Sequence, residues 1–408
     1  MKSRLVTNVG VACIVAGLLP SLGTASSFQG LGDLTGGIFE SMAWGISADG
    51  TTVVGDSASG LGREAFRWTI SSGMVGLGDL SGGAFFSRAL GVSRDGSVVV
   101  GEGHSVPPCS SCSGTEAFVW TARGGMSGLG TLRNDPESVS WAVSADGATI
   151  VGQSKSSGAS VTPFSEAFFR TGADGLNGME DLPGNSNELG LPGSVARDVS
   201  ADGSVIVGVG DTDLGSEAFR WTANNGMIGL GDLPGGDFFS RARGVTNDGA
   251  VVVGFSQSGL GQEAFRWTEA TGMIGLGDLP GSFFSSRASD VSADGSIIVG
   301  GGRSEIGDEA FIWDEANGMQ NLAQVLVDSG IDLTGWTLRA ATGISDDGSM
   351  IVGFGINPDG NTEGWIADTA TVPVPPSVYL FGSGLIGLIR LARRNRNQQL
   401  FRRVQLNQ

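Results

Sequence analysis

Histidine and tyrosine each occur once in the 408 residues, lysine twice and cysteine three times, and charged residues make up only 16% of the chain. Each scarcity excludes something. His104, Cys109 and Cys112 supply three of the four ligands a structural zinc ion takes, and no second histidine exists to complete the set. The same shortage leaves no serine–histidine–aspartate triad in prospect. Three cysteines, one of them Cys13 in an apolar N-terminal stretch, do not make a disulfide framework. Cys109 and Cys112 are spaced instead for one small disulfide in an oxidising compartment. A redox role for that pair needs a thioredoxin-like βαβ context, and no helical pattern surrounds it.

Bases are scarce where nucleic acid would need them. Residues 1–25 hold Lys2 and Arg4 and no acid, and residues 390–408 hold six arginines and no acid. The middle therefore carries all 42 acids against the remaining 16 bases, a net of −26. Such a body repels nucleic acid and anionic membrane surfaces, while divalent cations or basic partners suit it. What the chain has in excess is glycine, at 70 residues. These follow no three-residue period, which excludes collagen, and a hydrophobic content of 40% argues against disorder. Short strands joined by tight turns fit the composition.

The two ends read as addresses. Lys2 and Arg4 precede an apolar stretch from Val9 to Leu19, then Pro20 and small residues. This is the layout of a signal peptide, residues 1–25, and the stretch is too short for the roughly 20 apolar residues of a spanning helix. At the other end, residues 371–376 form a stiff proline-rich linker, Val372-Pro373-Val374-Pro375-Pro376. Residues 377–389 are apolar, and residues 390–408 form a basic tail beginning with Arg390, Arg393 and Arg394. An apolar run followed by arginines places the tail in the cytoplasm and the body outside it. A C-terminal hydrophobic helix of that length spans about 20 Å of a ~30 Å bilayer core, which suits transient better than permanent anchoring. These prolines, the Val378-Tyr379-Leu380-Phe381-Gly382-Ser383-Gly384-Leu385 run and the arginine cluster resemble the VPLPA-type PEP-CTERM sorting signals. The resemblance implies recognition and cutting by an exosortase-like membrane protease in Gram-negative bacteria that make extracellular polysaccharide.

The middle is a repeat. An Asp-Gly pair recurs at Asp49, Asp95, Asp146, Asp202, Asp248, Asp294 and Asp347. Each is followed by an apolar run such as Ser296-Ile297-Ile298-Val299-Gly300. A Glu-Ala-Phe-Arg-Trp segment, intact at Glu64–Trp68, Glu217–Trp221 and Glu263–Trp267, comes next, and a Gly-Leu-Gly-Asp-Leu run closes the unit. Asp-Gly between β-rich runs is a strong hairpin signal, and four short strands in about 45 residues make one propeller blade. The seventh unit lacks its closing run, while a spare copy, Gly30–Leu34, precedes the first. The prediction is an all-β fold: a seven-bladed β-propeller of four-stranded blades over residues 28–370, closed by the N-terminal strand, plus the C-terminal hydrophobic helix. Ala-x-Gly-Val-Ser-x-Asp-Gly with Glu-Ala-Phe-Arg-Trp resembles the HAF-repeat extracellular proteins. That likeness implies export and a propeller architecture, and brings no defined activity with it.

Residues present in every unit stack blades more readily than they catalyse, because one substrate needs one asymmetric constellation. The third-strand glutamates and the Asp-Gly aspartates therefore read as structural, and no catalytic, cofactor or metal residue is assigned. Calcium on the Gly-Asp-rich turns stays open, although no unit carries the 12-residue calcium loop. A sugar-stacking role for the pairs Phe85-Phe86, Phe238-Phe239 and Phe283-Phe284 stays open beside inter-blade packing. The long insertions, within Glu102–Thr115, Gln153–Ser165, Pro183–Val195 and Gln324–Leu338, all fall on the face opposite the Asp-Gly turns, which marks that face for binding. The functional expectation is a non-enzymatic binding or structural module, exported to the periplasm, cell surface or biofilm matrix. Its partners would be the sorting protease and extracellular polysaccharide, with the C-terminal segment in the membrane and no nucleic acid. The alternative is a polysaccharide-active propeller enzyme.

Overall fold

The computed structural model describes residues 27–106, 114–155, 165–172, 174–179, 181–183, 193–281 and 283–369. The fifth unit shows how one repeat folds. Its inner strand Gly235–Val245, second strand Val251–Ser258, third strand Gly261–Thr268 and outer strand Gly272–Gly275 form an antiparallel meander. The Asp-Gly turn joins the first two strands. Asp248 Oδ1 accepts from Thr246 Oγ1 at 2.7 Å and from Ala250 N at 3.0 Å, and Gly249 takes φ +70°, which only glycine adopts freely. The glycine inside the second strand has a different cause. The inner strand bulges between Ala242 and Gly244, and a Cβ on Gly254 would collide with the Arg241 carbonyl oxygen.

The core lies between neighbouring sheets. The phenylalanine of each Glu-Ala-Phe segment, from Phe66 to Phe311, is fully buried, and Trp365 takes its place in the last unit. Val205 and Val207 of one sheet, for example, pack with Val252 and Phe265 of the next. A buried serine pins six of the seven joints. Ser240 Oγ accepts from Ala218 N at 2.9 Å on the preceding blade and donates to Gly231 O at 2.6 Å. Ser240→Ala leaves both buried groups unpaired and should cost about 1–3 kcal/mol in urea unfolding, with no change in slope. An unmoved midpoint would show that the serine is filler.

The sheet count departs from the prediction of seven separate blades. Five separate four-stranded blades form, together with one eight-stranded sheet that holds the first two units. Its halves meet at one parallel bridge, Arg63↔Phe86, between the third strand Gly62–Thr69 and the next inner strand Gly82–Val92. The two strands meet closely there: Gly62, at φ +144°, lies directly against the Phe85 carbonyl, where any Cβ would clash, as Gly215 and Gly261 lie against the Phe238 and Phe284 carbonyls at junctions whose sheets stay separate. The predicted C-terminal hydrophobic helix is corrected too. The one α-helix among the described residues is Leu322–Asp328, and no helix there is long and apolar enough to cross a membrane; residues 370–408 lie outside the described residues. That helix also revises the insertion at Gln324–Leu338. Asn321 Oδ1 caps it by accepting from Gln324 N, and Leu322 and Leu326 are buried with Leu333 and Leu338 against Trp365. This insertion fills core instead of reaching outward.

The strand that precedes the first unit, Ser27–Gly30, pairs antiparallel with Thr362–Asp368 of the last, from Ser27↔Asp368 to Gly30↔Trp365. Inner strands from all seven units surround one axis. Near the Asp-Gly turns their backbones link in sequence, Arg94 N to Ala145 O, Ala145 N to Ala201 O and Ala201 N to Asn247 O, each at 3.1 Å.

Candidate functional site

The repeated acids are consumed by structure. Glu217 Oε1 accepts from Gly231 N at 2.8 Å, Glu116 from Gly130 N at 2.9 Å, and Glu363 from Gly32 N at 2.9 Å across the closure. Glu166 pairs with Arg133 instead, and Glu309 accepts from Asn321 Nδ2 at 2.6 Å. The Asp-Gly aspartates are held by their own turns. At Asp202, hydrogen bonds from the Ser204 backbone and hydroxyl and from the Ser200 hydroxyl hold the carboxyl below its ordinary range.

Asymmetry appears on the inner strands, where they face the axis. Four residues before each Asp-Gly aspartate stands glycine or alanine in five units, but Asp198 and Asp290 in the fourth and sixth. Both are half-buried. Asp198 accepts from Val199 N and, on the next blade, from Val245 N, each at 2.8 Å. Asp290 does the same with Val291 N at 2.7 Å and Ile344 N at 2.9 Å. Burial, and then the neighbouring charge of Asp290, push Asp198 up to about 8 despite those donors, and burial pushes Asp290 up to about 6. One residue earlier, the side chains are Trp44, Leu90, Trp141, Arg197, Arg243, Ser289 and Thr342 in the seven units.

These departures line two adjoining cavities. The first, of about 490 Å³, is bounded by Trp44, Arg88, Trp141, Arg197, Arg243, Asp198 and Asp290. The second, of about 470 Å³, shares Trp44, Arg243, Ser289 and Thr342 with it and adds Arg287, Arg303, Asp308, Arg339 and Phe354. The first spans the last residues of the inner strands, from Ile46, Val92 and Val143 beside the Asp-Gly turns to Arg88, whereas the second sits toward the opposite strand ends, at Arg303 and Asp308. That face also carries the ends joined by the variable connections, His104 with Thr115 and Lys155 with Ser165. At the Asp-Gly end, Asp346 Oδ2 meets Arg94 Nη1 at 3.1 Å and Asn247 Nδ2 at 2.9 Å, bridging the second, fifth and seventh units across the axis.

The residues singled out from sequence fall elsewhere. Cys109, Cys112, Val372, Pro373, Val374, Pro375, Pro376, Arg390, Arg393 and Arg394 lie outside the described residues, as does the leader 1–25. His104 stacks on Phe86 with ring centroids 4.6 Å apart. Phe239 carries the Arg241 guanidinium at 5.0 Å, and Phe283 is exposed beneath that of Arg303 at 5.6 Å. Among the described residues no group of three or more histidine, cysteine, aspartate or glutamate side chains could hold a metal ion. The axial arginines were missed because attention to what repeats passes over what breaks the repeat. Aligning the seven units on their aspartates exposes Arg197, Arg243, Asp198 and Asp290 as departures.

No protein-family model matches the chain, and no curated protein does either. Solved structures do resemble it. A prolyl endopeptidase matches with a TM-score of 0.52 at 12% identity, over 83% of this chain and 51% of its own. The fold is a β-propeller. TolB from Acinetobacter baumannii matches at TM-score 0.42 and 17% identity, over 67% of this chain and 64% of its own. Oligogalacturonate lyase from Vibrio parahaemolyticus matches at TM-score 0.47 and 11% identity, over 85% of this chain and 97% of its own. The propeller thus spans about half of the endopeptidase chain and under two thirds of that TolB, and the likeness concerns the fold alone.

Proposed function

We propose that the propeller is an exported binding module of the cell envelope or biofilm matrix, sorted through its C-terminal tail by an exosortase-like membrane protease. One observation carries the binding role. The repeated polar residues serve the blades, whereas the residues that break the repeat gather around two adjoining cavities on the axis. A scaffold alone has no use for an asymmetric axis. Export and sorting rest on the leader at 1–25 and on the resemblance of residues 372–394 to the VPLPA-type signals. The partner class this reading favours is extracellular polysaccharide.

The test follows the protein in a host with an exosortase-like system. Mass spectrometry of the exported chain should show loss of residues 1–25 and a new C-terminus near the proline-rich linker. Fractionation should place the chain with the surface or matrix polysaccharide, and a chain ending at residue 370 should lose that retention. Recovery from the cytosol with Met1 in place would end the export reading. Release of reducing sugar from matrix polysaccharide would replace the module with the polysaccharide-active enzyme.

A further inference from the structure

The body has 16 basic groups against 42 acids, yet six of the 16 line the two axial cavities: Arg88, Arg197, Arg243, Arg287, Arg303 and Arg339. Arg88 is paired with Glu102 at 3.2 Å, and Arg287 Nη2 donates to Gln262 Oε1 at 3.1 Å. Among the described residues, the guanidinium groups of Arg197, Arg243, Arg303 and Arg339 make neither a hydrogen bond nor an ion pair. Burial and the neighbouring Arg243 and Arg241 push Arg197 down to about 10, and burial with Arg287 and Arg241 lowers Arg243. Arg197 is half-buried and Arg243, Arg303 and Arg339 are exposed, so the like charges meet at a solvated axis where their mutual repulsion costs stability, and such a cost persists where an anion takes up the charge.

Geometry narrows what that is. The Arg197 guanidinium lies 3.9 Å over the Trp141 ring and that of Arg243 lies 5.3 Å over Phe255. Stacking covers the flat faces and leaves the N–H edges for acceptors in the guanidinium plane, which is how carboxylates bind. Trp44, with Phe354 at 5.6 Å between ring centroids, supplies an apolar wall suited to a sugar ring. Each cavity falls within the roughly 300–1,000 Å³ of small-ligand sites. An extended nucleic acid would instead have to lie along the acidic body.

We infer that the axial cavities bind the carboxylate-bearing end of an acidic oligosaccharide, its carboxylates paired with Arg197, Arg243 and Arg339 and a sugar ring packed on Trp44. This rests on the reading of the chain as a binding module and names the ligand class of the same site.

Calorimetric titration of the full exported chain tests it, with short oligouronates, a neutral glucan series of matched length, a sulfated oligosaccharide and single-stranded DNA as probes. Oligouronates should bind, the neutral series should not, and affinity should fall as salt rises. Arg243→Met and Arg197→Met should each weaken oligouronate binding about tenfold or more, while Arg123→Met on the exposed surface leaves it unchanged. Because both substitutions relieve repulsion, the free variants should melt no lower than the parent, which separates lost binding from lost folding. Equal binding of neutral and acidic series, or full affinity in both variants, overturns the inference. So does preference for DNA or the sulfated sugar, or the binding of no probe at all. In each of these cases retention on the matrix still tests the binding-module reading separately.

Discussion

Deleting residues 27–31 should strip several kcal/mol from the fold and split its unfolding into more than one transition. Four residue pairs from Ser27↔Asp368 to Gly30↔Trp365 would vanish, and the strand Thr362–Asp368 would become an open edge. Phe28 packs edge-on to Trp336 at 5.0 Å and near Trp365 at 6.0 Å, and Leu31 is buried in the cluster that joins the first and last units. Leu31 N also donates to Gly364 O at 2.9 Å, and Gly32 N donates to the buried Glu363 carboxylate. Losing a buried leucine and half of an aromatic contact costs about 3–5 kcal/mol, before the ladder itself is counted. Domains have a margin of about 5–15 kcal/mol, so the truncated chain should be marginal. Urea unfolding followed by tryptophan fluorescence and far-ultraviolet circular dichroism checks this. Coincident transitions at the parental midpoint would mean that the closure contributes nothing. Trp365→Ala is the point version: it empties the largest fully buried side chain and should cost about 3–5 kcal/mol.

Stability should also pass through a maximum in mildly acid solution and decline toward pH 9. Asp198 ordinarily titrates near 3.8 and in the fold titrates near 8, because burial and Asp290 disfavour its charge. Between those values the folded chain holds a proton that the unfolded chain has released, so raising the pH favours unfolding. Asp290, pushed by burial to about 6, adds to the decline in the lower part of the same window. The Asp-Gly aspartates act in the opposite sense. Asp95, Asp202 and Asp294 are held below 3.8 by serine hydrogen bonds, so their contribution is present above that value and is lost as pH falls through the folded value. Asp198→Asn removes the proton-binding site while keeping one acceptor for Val199 N or Val245 N. The variant should lose less than the parent on going from pH 6 to pH 9, with a difference worth on the order of 1–3 kcal/mol. Thermal midpoints of both proteins across pH 4–9 decide it. Parallel curves would mean that Asp198 is ionised in the fold at every pH tested.

Much of the architecture was legible before any coordinates. Each unit's strands follow from alternating Val, Phe and Trp between glycine-rich turns, and the Asp-Gly turns form where they are written because Asp248 and its equivalents bond their own turn. Such signals are local and depend on a few neighbouring residues. The insertion after Asn321 misled because its length marked a loop, while its Leu322 and Leu326 spacing suits a short helix whose apolar face finds the core only in three dimensions. The single bridge that fuses the first two units was equally out of reach, since it joins Arg63 to Phe86 across two units.

Alone, the sequence determined the repeat, the four strands of a unit and the turn chemistry, because all of these are short-range. Only the tertiary structure decided how many sheets the repeats make and which side chains share the axis. Arg197 and Arg339 are 142 positions apart and become neighbours of one cavity system only when the inner strands circle a common centre. The same gathering draws Asp198 toward Asp290, half out of water, and changes when each ionises, a property that belongs to the assembled ring and to no segment of it.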